Sequence, residues 1–130
     1  MPIASKFGSW AMPIVAKTGN YTCVTADSGT FFTNEGAAGG VTFTLPTNAA
    51  DHKGWFAEFF TVAAQVLTVA SSPTDKLVVH ADAAADTIAT AATIGQHFTV
   101  RSLGATGYLV VSDPSAANAA TAVTAVTIVT

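Results

Sequence analysis

Charge is what this sequence has least of. Only 10% of its 130 residues are Asp, Glu, Lys or Arg, and the formal net charge is −3, whereas soluble domains average about 25% charged residues. The five basic residues stand singly, at positions 6, 17, 53, 76 and 101. No basic stripe is therefore available to neutralise phosphates or to bind an anionic membrane. High hydrophobicity combined with a small net charge also excludes a disordered chain. We expect neither a nucleic acid nor a membrane as partner.

Cysteine and long apolar runs are also scarce. The single Cys23 permits no internal disulfide, and a free thiol favours folding in a reducing cytoplasm. Two lysines and two prolines interrupt the first twenty residues, so these residues lack the apolar core of a signal peptide. The charge-free runs 59–74 and 114–130 contain polar residues and are not typical of a membrane span.

Alanine and threonine, with 26 and 20 residues, take the place of the missing charge. A chain of 130 residues is long enough to bury a core without disulfides or metals. From position 20 onward, β-branched and aromatic residues come in short runs separated by turn-forming residues, which predicts an all-β chain. The expected fold is a single jelly-roll or β-sandwich domain. The predicted strands are 20–25, 30–33, 41–45, 55–62, 65–69, 76–80, 86–90, 97–102, 107–112 and 121–129.

Alternation within these runs predicts which side chains face the core. In VTFTL at 41–45 the apolar residues share one face and the threonines share the other. HFTVR at 97–101 likewise directs Phe98 and Val100 inward and its three polar residues outward. WFAEFFTV at 55–62 differs because it carries large rings on both faces. We expect the core to cover one face of that strand, and another sheet or another subunit to cover the other.

The two ends of the chain are the candidate contact regions. Residues 1–19 show no clean periodicity, and we interpret them as an irregular arm preceding a domain that spans 20–130. The uncharged strand 121–129 fits either a central strand or a tail that pairs with a neighbouring chain. Large rings outside the periodic core tend to anchor interfaces. The candidate interface residues are Phe7, Trp10, Met12, Ile14, Trp55, Val123, Val126 and Ile128.

The histidines do not form a catalytic or metal-binding pattern. His52, His80 and His97 each lack a second His or Cys within about five residues, the spacing typical of zinc sites. His80 lies close to Asp82, but no nucleophile elbow accompanies this pair. We interpret the three histidines as surface or loop residues.

The remaining chemistry-bearing residues also favour structural roles. The loops that contain Asp27, Asp75, Asp82 and Asp86 lack the regular spacing of a calcium loop, so we interpret these residues as turn formers. GAAGG at 36–40 is not followed by the Lys and Ser or Thr of a phosphate-binding loop. The Cys23 thiol has no basic neighbour and is expected to be buried. We therefore predict no catalytic residue, no metal site and no cofactor, and we expect no enzymatic activity.

Four segments taken in order resemble a known type of domain. They are DSGTFFTNEG at 27–36, VTFTLP at 41–46, WFAEFFTVAAQVLTVAS at 55–71 and TIGQHFTVRSLGATGYLVV at 93–111. This order resembles a small β-domain of tailed-bacteriophage virion proteins, in which a D-x-G-x-x-F-x-N turn and an F-x-L-P strand precede an apolar hairpin and a terminal L-V-V strand. The resemblance covers about residues 20–112. Its motifs contain no catalytic residue.

The resemblance implies a role in a virus particle. The same domain type occurs in capsid decoration (cement) proteins and in tail or fibre proteins. A chain of one compact domain fits a decoration protein better than a long, multi-domain fibre. Such proteins are commonly trimers that bridge neighbouring capsomers on the outside of the shell. The expected partners are the major capsid protein and other copies of this chain in a homotrimer, and the expected location is the outer capsid surface, after synthesis in the host cytoplasm.

Three alternatives stay open from the residues alone. A host-attachment module that binds carbohydrate would carry exposed aromatic platforms, such as Trp55 and Tyr108. A small hydrolase would need His80 and another titratable group in one cleft. The threonine-rich composition also allows a protein that binds ice, although regular Thr-x-Thr ladders are missing from most of the chain.

Overall fold

The fold is a sandwich of two mixed β-sheets. The computed structural model describes residues 12–48, 50–79, 82–112 and 127–129. One sheet has seven strands in the order β1-β3-β5-β10-β11-β7-β8, and the other has five in the order β12-β9-β6-β4-β2. The strands are β1 (Ile14–Ala16), β2 (Tyr21–Thr22), β3 (Thr30–Thr33), β4 (Val41–Thr44), β5 (Phe56–Phe60), β6 (Leu67–Ala70), β7 (Leu77–Val79), β8 (Asp82–Ala85), β9 (Thr87–Ala89), β10 (His97–Ser102), β11 (Tyr108–Ser112) and β12 (Thr127–Val129).

The first six strands wind alternately between the two sheets. β1, β3 and β5 are parallel neighbours in the seven-stranded sheet, and β2, β4 and β6 are parallel neighbours in the five-stranded sheet. Each parallel neighbour is thus reached through a strand of the opposite sheet, rather than through the helix usual for a parallel crossover. Five of the ten pairings among the described strands are parallel, whereas a jelly roll is antiparallel. Of the two predicted architectures, the chain adopts the β-sandwich.

The core lies between the sheets and is rich in aromatic rings. Phe32 and Phe59 of the seven-stranded sheet stack at 5.5 Å between ring centroids. Phe43 of the five-stranded sheet lies 5.1 Å from each of them. All three rings are at most 1% exposed. This three-ring contact joins the sheets because alternation within β3, β4 and β5 turns the rings toward one another.

Most predicted strands are confirmed, and two differences are informative. Ile14–Ala16 lie within the segment interpreted as an irregular arm, but they form β1 and pair with Phe31–Thr33 of β3. Three residues are too few to show periodicity. The strand is stabilised by hydrogen bonds to β3, which lies further along the chain. The second difference is β8 at Asp82–Ala85, an alanine-rich run that was not predicted as a strand. It pairs with β7, so tertiary pairing overrides the helix propensity of alanine.

The hairpin between β10 and β11 depends on glycine. Gly104 and Gly107 have φ values of 77° and 129°, which side chains rarely adopt. A Cβ added at Gly107 would lie 2.5 Å from the Lys76 carbonyl oxygen. That close approach allows the backbone of the next residue, Tyr108, to donate to the same oxygen at 3.0 Å. The two glycines thus close the hairpin and also let β11 lie beside β7.

The C-terminal strand pairs within its own chain. Thr127–Val129 of β12 run antiparallel to Thr87–Ala89 of β9, and Ile128 is opposite Ile88. β12 is thus an edge strand of the five-stranded sheet, and not the central strand considered from the sequence. The remainder of the predicted strand 121–129 lies outside the described residues.

Candidate interaction surface

The outer face of the seven-stranded sheet carries more apolar than polar side chains. Each strand of this sheet buries alternate side chains in the core. The remaining side chains, which include phenylalanines as well as polar residues, lie on the outer face. Ile14 is 71% exposed and Val111 is 54% exposed. We call this surface the aromatic face. Its residues are Ile14, Phe31, Phe56, Glu58, Phe60, His97, Thr99, Arg101, Leu109 and Val111.

Strand register places these side chains in rows across the sheet. One row runs from Ile14 through Phe31, Glu58 and Thr99 to Val111 on five neighbouring strands. Neighbouring strands lie about 4.8 Å apart, so the row spans about 19 Å between its outermost strands. An apolar residue stands at each end, and a carboxylate stands at the centre.

A histidine lies beside that central carboxylate. The His97 ring stacks on Phe31 with a centroid distance of 6.2 Å and lies 6.2 Å from Phe60. Its Nε2 atom is 3.6 Å from Glu58 Oε1, longer than a hydrogen bond, and this buried atom has no hydrogen-bond partner among the described residues. Thr99 donates to the same carboxylate oxygen at 3.4 Å. Glu58 thus lies in a largely apolar setting with only weak polar contacts.

Arg101 lies at a second polar position on the aromatic face. Its guanidinium is 5.3 Å from the ring centroid of Phe56, the residue opposite it in β5. This is a cation–π contact. Within the described part of the chain, Arg101 forms no ion pair with a carboxylate.

The outer face of the five-stranded sheet has a different chemistry. The strands that bury Phe43, Val69 and Ile88 on the inside carry small residues on the outside. We call this surface the threonine–alanine face. Its residues are Thr22, Thr42, Thr44, Thr68, Ala70, Thr87 and Ala89. Both outer faces are poor in charge, but only the aromatic face exposes large apolar side chains.

The predicted interface residues are distributed unevenly. Met12, 38% exposed, and Ile14 lie at the edge of the seven-stranded sheet, where Ile14 belongs to the aromatic face. Ile128 is in β12, paired with β9 of the same chain. Phe7, Trp10, Val123 and Val126 lie outside the described residues.

Trp55 contradicts its predicted role at an interface. It is only 6% exposed, and its ring packs edge-on against the fully buried Tyr108 at 5.9 Å. Its indole nitrogen donates to the carbonyl oxygens of Val24 and Thr25, at 3.3 and 3.2 Å. The ring lies inside because Trp55 shares the inward side of its strand with Ala57 and Phe59. Both aromatic platforms considered for carbohydrate binding are therefore part of the core.

The D-x-G-x-x-F-x-N motif has a structural explanation at each position. Asp27 accepts hydrogen bonds from the Tyr21 hydroxyl at 2.9 Å and from the Val24 amide at 2.8 Å, which closes the turn before β3. Gly29 has a φ of 85° and donates to the Phe56 carbonyl at 2.8 Å. Phe32 is the core ring already described. These contacts fix the start of β3 against β5.

Asn34 completes the motif by holding the loop after β5. Its side-chain oxygen accepts from the amides of Val62 and Ala63, at 2.8 and 2.9 Å. Its side-chain nitrogen donates to the carbonyls of Ala63 and Gln65, both at 3.2 Å. The residue is fully buried, and these four bonds use the full capacity of the amide. The motif thus builds the fold and offers no reactive group.

Tyr108 and Pro46 link the F-x-L-P strand to the opposite sheet. The Tyr108 hydroxyl donates to the Pro46 carbonyl at 2.7 Å. Burial of the phenol, with a smaller contribution from Asp75, raises the pKa of Tyr108 above its ordinary value of 10.0. The phenol therefore remains protonated and keeps this hydrogen bond.

The remaining candidate groups are spread over the domain. Asp75 accepts from the Asn48 amide at 2.7 Å and the Ser72 hydroxyl at 2.6 Å, and Asp86 pairs with Lys76. Across residues 12–48, 50–79, 82–112 and 127–129, no three His, Cys, Asp or Glu side chains group closely enough to hold a metal ion. His80 lies outside these ranges.

The predicted burial of Cys23 is confirmed, at 2% exposure. Burial raises the pKa of the Cys23 thiol to about 12, helped by Asp27 and opposed by Lys17. A thiol with such a pKa is protonated at neutral pH. Because the thiolate is the nucleophile, Cys23 is unreactive in this setting.

Sequence reasoning identified part of the aromatic face. It found the two-sided rings of the strand at 55–62 and the outward direction of His97, Thr99 and Arg101. It did not connect them with Ile14, Phe31 and Val111, which reach the same surface from three other strands. Only strand order and register bring these residues together.

No helix among the described residues has the length and apolarity needed to cross a membrane. No protein-family model and no curated protein sequence matches the chain.

Proposed function

We propose that this protein is a non-enzymatic structural component of a bacteriophage particle, a cement protein that binds the outside of the assembled capsid and joins neighbouring capsomers. The observation that carries the proposal is the aromatic face. Exposed apolar patches of this kind mark sites of protein–protein contact. A domain whose interior is complete, and whose outer surface still presents phenylalanine and isoleucine, is suited to work within an assembly.

Two further features support this role. The motif order resembles small β-domains of tailed-phage virions, and the motif residues of this chain build the sandwich itself. The low charge also suits repeated contact with protein, because few charged groups would lose their hydration when the surface is covered.

Mass action gives the mechanism of stabilisation. A subunit that binds the assembled lattice, and not its free components, lowers the free energy of the lattice. Contacts to two capsomers at once add an effective-concentration advantage, because the second contact forms within an existing complex. Copies on the outer surface would thereby resist disassembly of the shell. The major capsid protein and other copies of this chain are the proposed partners. The N-terminal segment with Phe7, Trp10 and Met12 is the proposed contact with the capsid, and the aromatic face is the proposed contact between copies.

The test is binding to empty, expanded capsids of the phage that encodes this chain. Full-length protein should decorate these capsids and raise the temperature at which they disassemble. Replacing Phe7 and Trp10 with Ser keeps the chain length and spares β1, and it should lower occupancy at least tenfold. A Thr68→Ser variant on the threonine–alanine face is the matched control and should bind normally. Absence of binding by the full-length protein would reject the cement role, whereas unchanged occupancy of the double variant would reject only the assignment of the contact.

A further inference from the structure

The aromatic face carries one carboxylate and one guanidinium that do not pair with each other. Glu58 is opposite Thr99 in the β5–β10 register, and Arg101 is two residues further along β10, opposite Phe56. One strand spacing and two residues separate the charges by about 8 Å on the sheet. The Arg101 side chain lies over Phe56 and not beside Glu58.

We infer that a second copy of this chain binds to the aromatic face through a two-fold contact in which Glu58 of each copy pairs with Arg101 of the other. In a two-fold interface, residue i contacts residue j while j contacts i. Such an axis lies in the plane between the two facing sheets, passes midway between Glu58 and Arg101 and is perpendicular to the line that joins them. It brings the two opposite charges together twice. A face with one charge of each sign is thus complementary to itself.

The rest of the face supports the same occupant. Beside the charged pair lies His97, whose Nε2 atom is 3.6 Å from Glu58 Oε1. The other surrounding side chains carry no charge, among them Phe31, Phe60 and Val111, so facing copies bring apolar groups together. Apolar contact of this kind favours association in water. The two Arg–carboxylate pairs define the relative orientation of the copies and exclude arrangements that place like charges opposite each other.

The area of the aromatic face determines how tightly two copies should bind. Five strands spaced by about 4.8 Å, and rows of outward residues about 7 Å apart, give roughly 450 Å² on each copy and roughly 900 Å² in total. Stable interfaces bury about 1,600 Å². We therefore expect a reversible dimer with a Kd in the micromolar range or weaker. This contact concerns the free protein and does not depend on the proposed role in a capsid. It replaces the homotrimer that the resemblance implies with a two-fold dimer.

Sedimentation equilibrium of the full chain, from about 10 µM to about 1 mM, tests the inference. The wild type should fit a monomer–dimer equilibrium. Glu58→Arg and Arg101→Glu should each raise the Kd at least tenfold, because each places like charges opposite each other twice. The double variant carrying both changes should restore the wild-type Kd to within about threefold. A monomer over the whole range, a trimer, or a double variant no tighter than the single ones would overturn the inference.

Two further variants separate loss of contact from loss of fold. Val111 is 54% exposed, so Val111→Lys should leave the circular dichroism spectrum unchanged while raising the Kd at least tenfold. Thr68→Lys places the same charge on the threonine–alanine face and should leave the Kd unchanged. Equal weakening by both lysines would overturn the inference. So would a chain that is monomeric in solution and loses capsid binding on Val111→Lys, since the face would then belong to the capsid protein.

Discussion

The inner faces of the two sheets pack alike, with buried aromatic rings, whereas their outer faces carry different residue types. Phe59 in the seven-stranded sheet and Phe43 in the five-stranded sheet are both fully buried and contact each other. On the outside, the seven-stranded sheet presents phenylalanine, isoleucine and valine, whereas the five-stranded sheet presents threonine and alanine. The difference shows that two kinds of side chain replace charged residues on this surface. Large apolar side chains do so on the seven-stranded sheet, and small uncharged side chains do so on the five-stranded sheet.

The two outer faces therefore differ in whether their residues are explained by the fold alone or indicate a binding partner. Alternation of apolar and threonine residues is what a sheet needs when water covers one side. The five-stranded sheet fits this description, and the outer rings of the seven-stranded sheet do not. Those rings are therefore the better indication of a partner.

The inner rings of the two sheets should contribute equally to the free energy of unfolding, and removing either of them has the largest effect that we expect. Phe59→Ala and Phe43→Ala should each lower the free energy of unfolding by about 3–5 kcal/mol, because each leaves a cavity in the shared core. Denaturant titration followed by tryptophan fluorescence measures the loss. Phe→Leu at the same positions provides a milder pair if the alanine variants do not fold. Losses that differ more than twofold between the two sheets would contradict a shared core.

The buried thiol beneath the five-stranded sheet should make stability depend on alkaline pH. Burial raises the pKa of Cys23 from 9.0 to about 12, so above pH 9 the folded form holds a proton that the unfolded form has released. Stability is then highest below about pH 9 and falls as the pH rises toward 12. By pH 10.5 the loss due to Cys23, relative to neutral pH, should reach about 2 kcal/mol.

Urea titrations of the wild type and Cys23→Ala across this range measure the difference. The variant should show a smaller decline, since only other groups, such as the two tyrosines, still titrate. Parallel curves for the two proteins would show that the thiol is not the cause. The seven-stranded sheet supplies no equivalent thiol, because Cys23 is the only cysteine of the chain.

The outer ring of β5 should contribute less than the inner ring of the same strand. Phe60 is half-buried on the aromatic face, so Phe60→Thr should cost about 1 kcal/mol of unfolding free energy, less than half of the cost at Phe59. The measurement is a denaturant titration below the concentration at which the chain associates. A loss as large as that for Phe59→Ala would mean that the outer ring belongs to the core, and the two-face comparison would fail.

The threonine–alanine face should be the least sensitive part of either sheet. Thr68 lies between Thr42 and Ala89 on the outside of β6, and Thr68→Val keeps its shape and its β-branching. The free energy of unfolding should change by less than about 0.5 kcal/mol. Thermal unfolding measured by circular dichroism would detect a larger effect. A loss above 1 kcal/mol would show that the threonine hydroxyl has a structural partner.

Sequence patterns predicted the strands more successfully than the surfaces. The alternation at 41–45 and 97–101 gave the inward and outward sides correctly, because in a strand those sides depend only on the two-residue repeat. The strand β1 was missed because three residues show no periodicity. The strand β8 was missed because its alanine run lacks the β-branched and aromatic residues typical of a strand. Trp55 was assigned to an interface because its strand carries rings on both faces. It lies an even number of residues from Phe59, however, and therefore points to the same buried side.

The sequence by itself determined that this chain is an all-β domain with little charge, a buried thiol and one strand with rings on both sides. These properties follow from composition and from local repeats, which physical chemistry links directly to strand formation and burial. Tertiary structure alone decided that the strands wind between two sheets and that Ile14, Phe31, Glu58 and Val111 lie in one row. The physical reason is that a surface is assembled across strands, by hydrogen-bond register between residues far apart in the chain. Local sequence carries no direct record of which strands become neighbours.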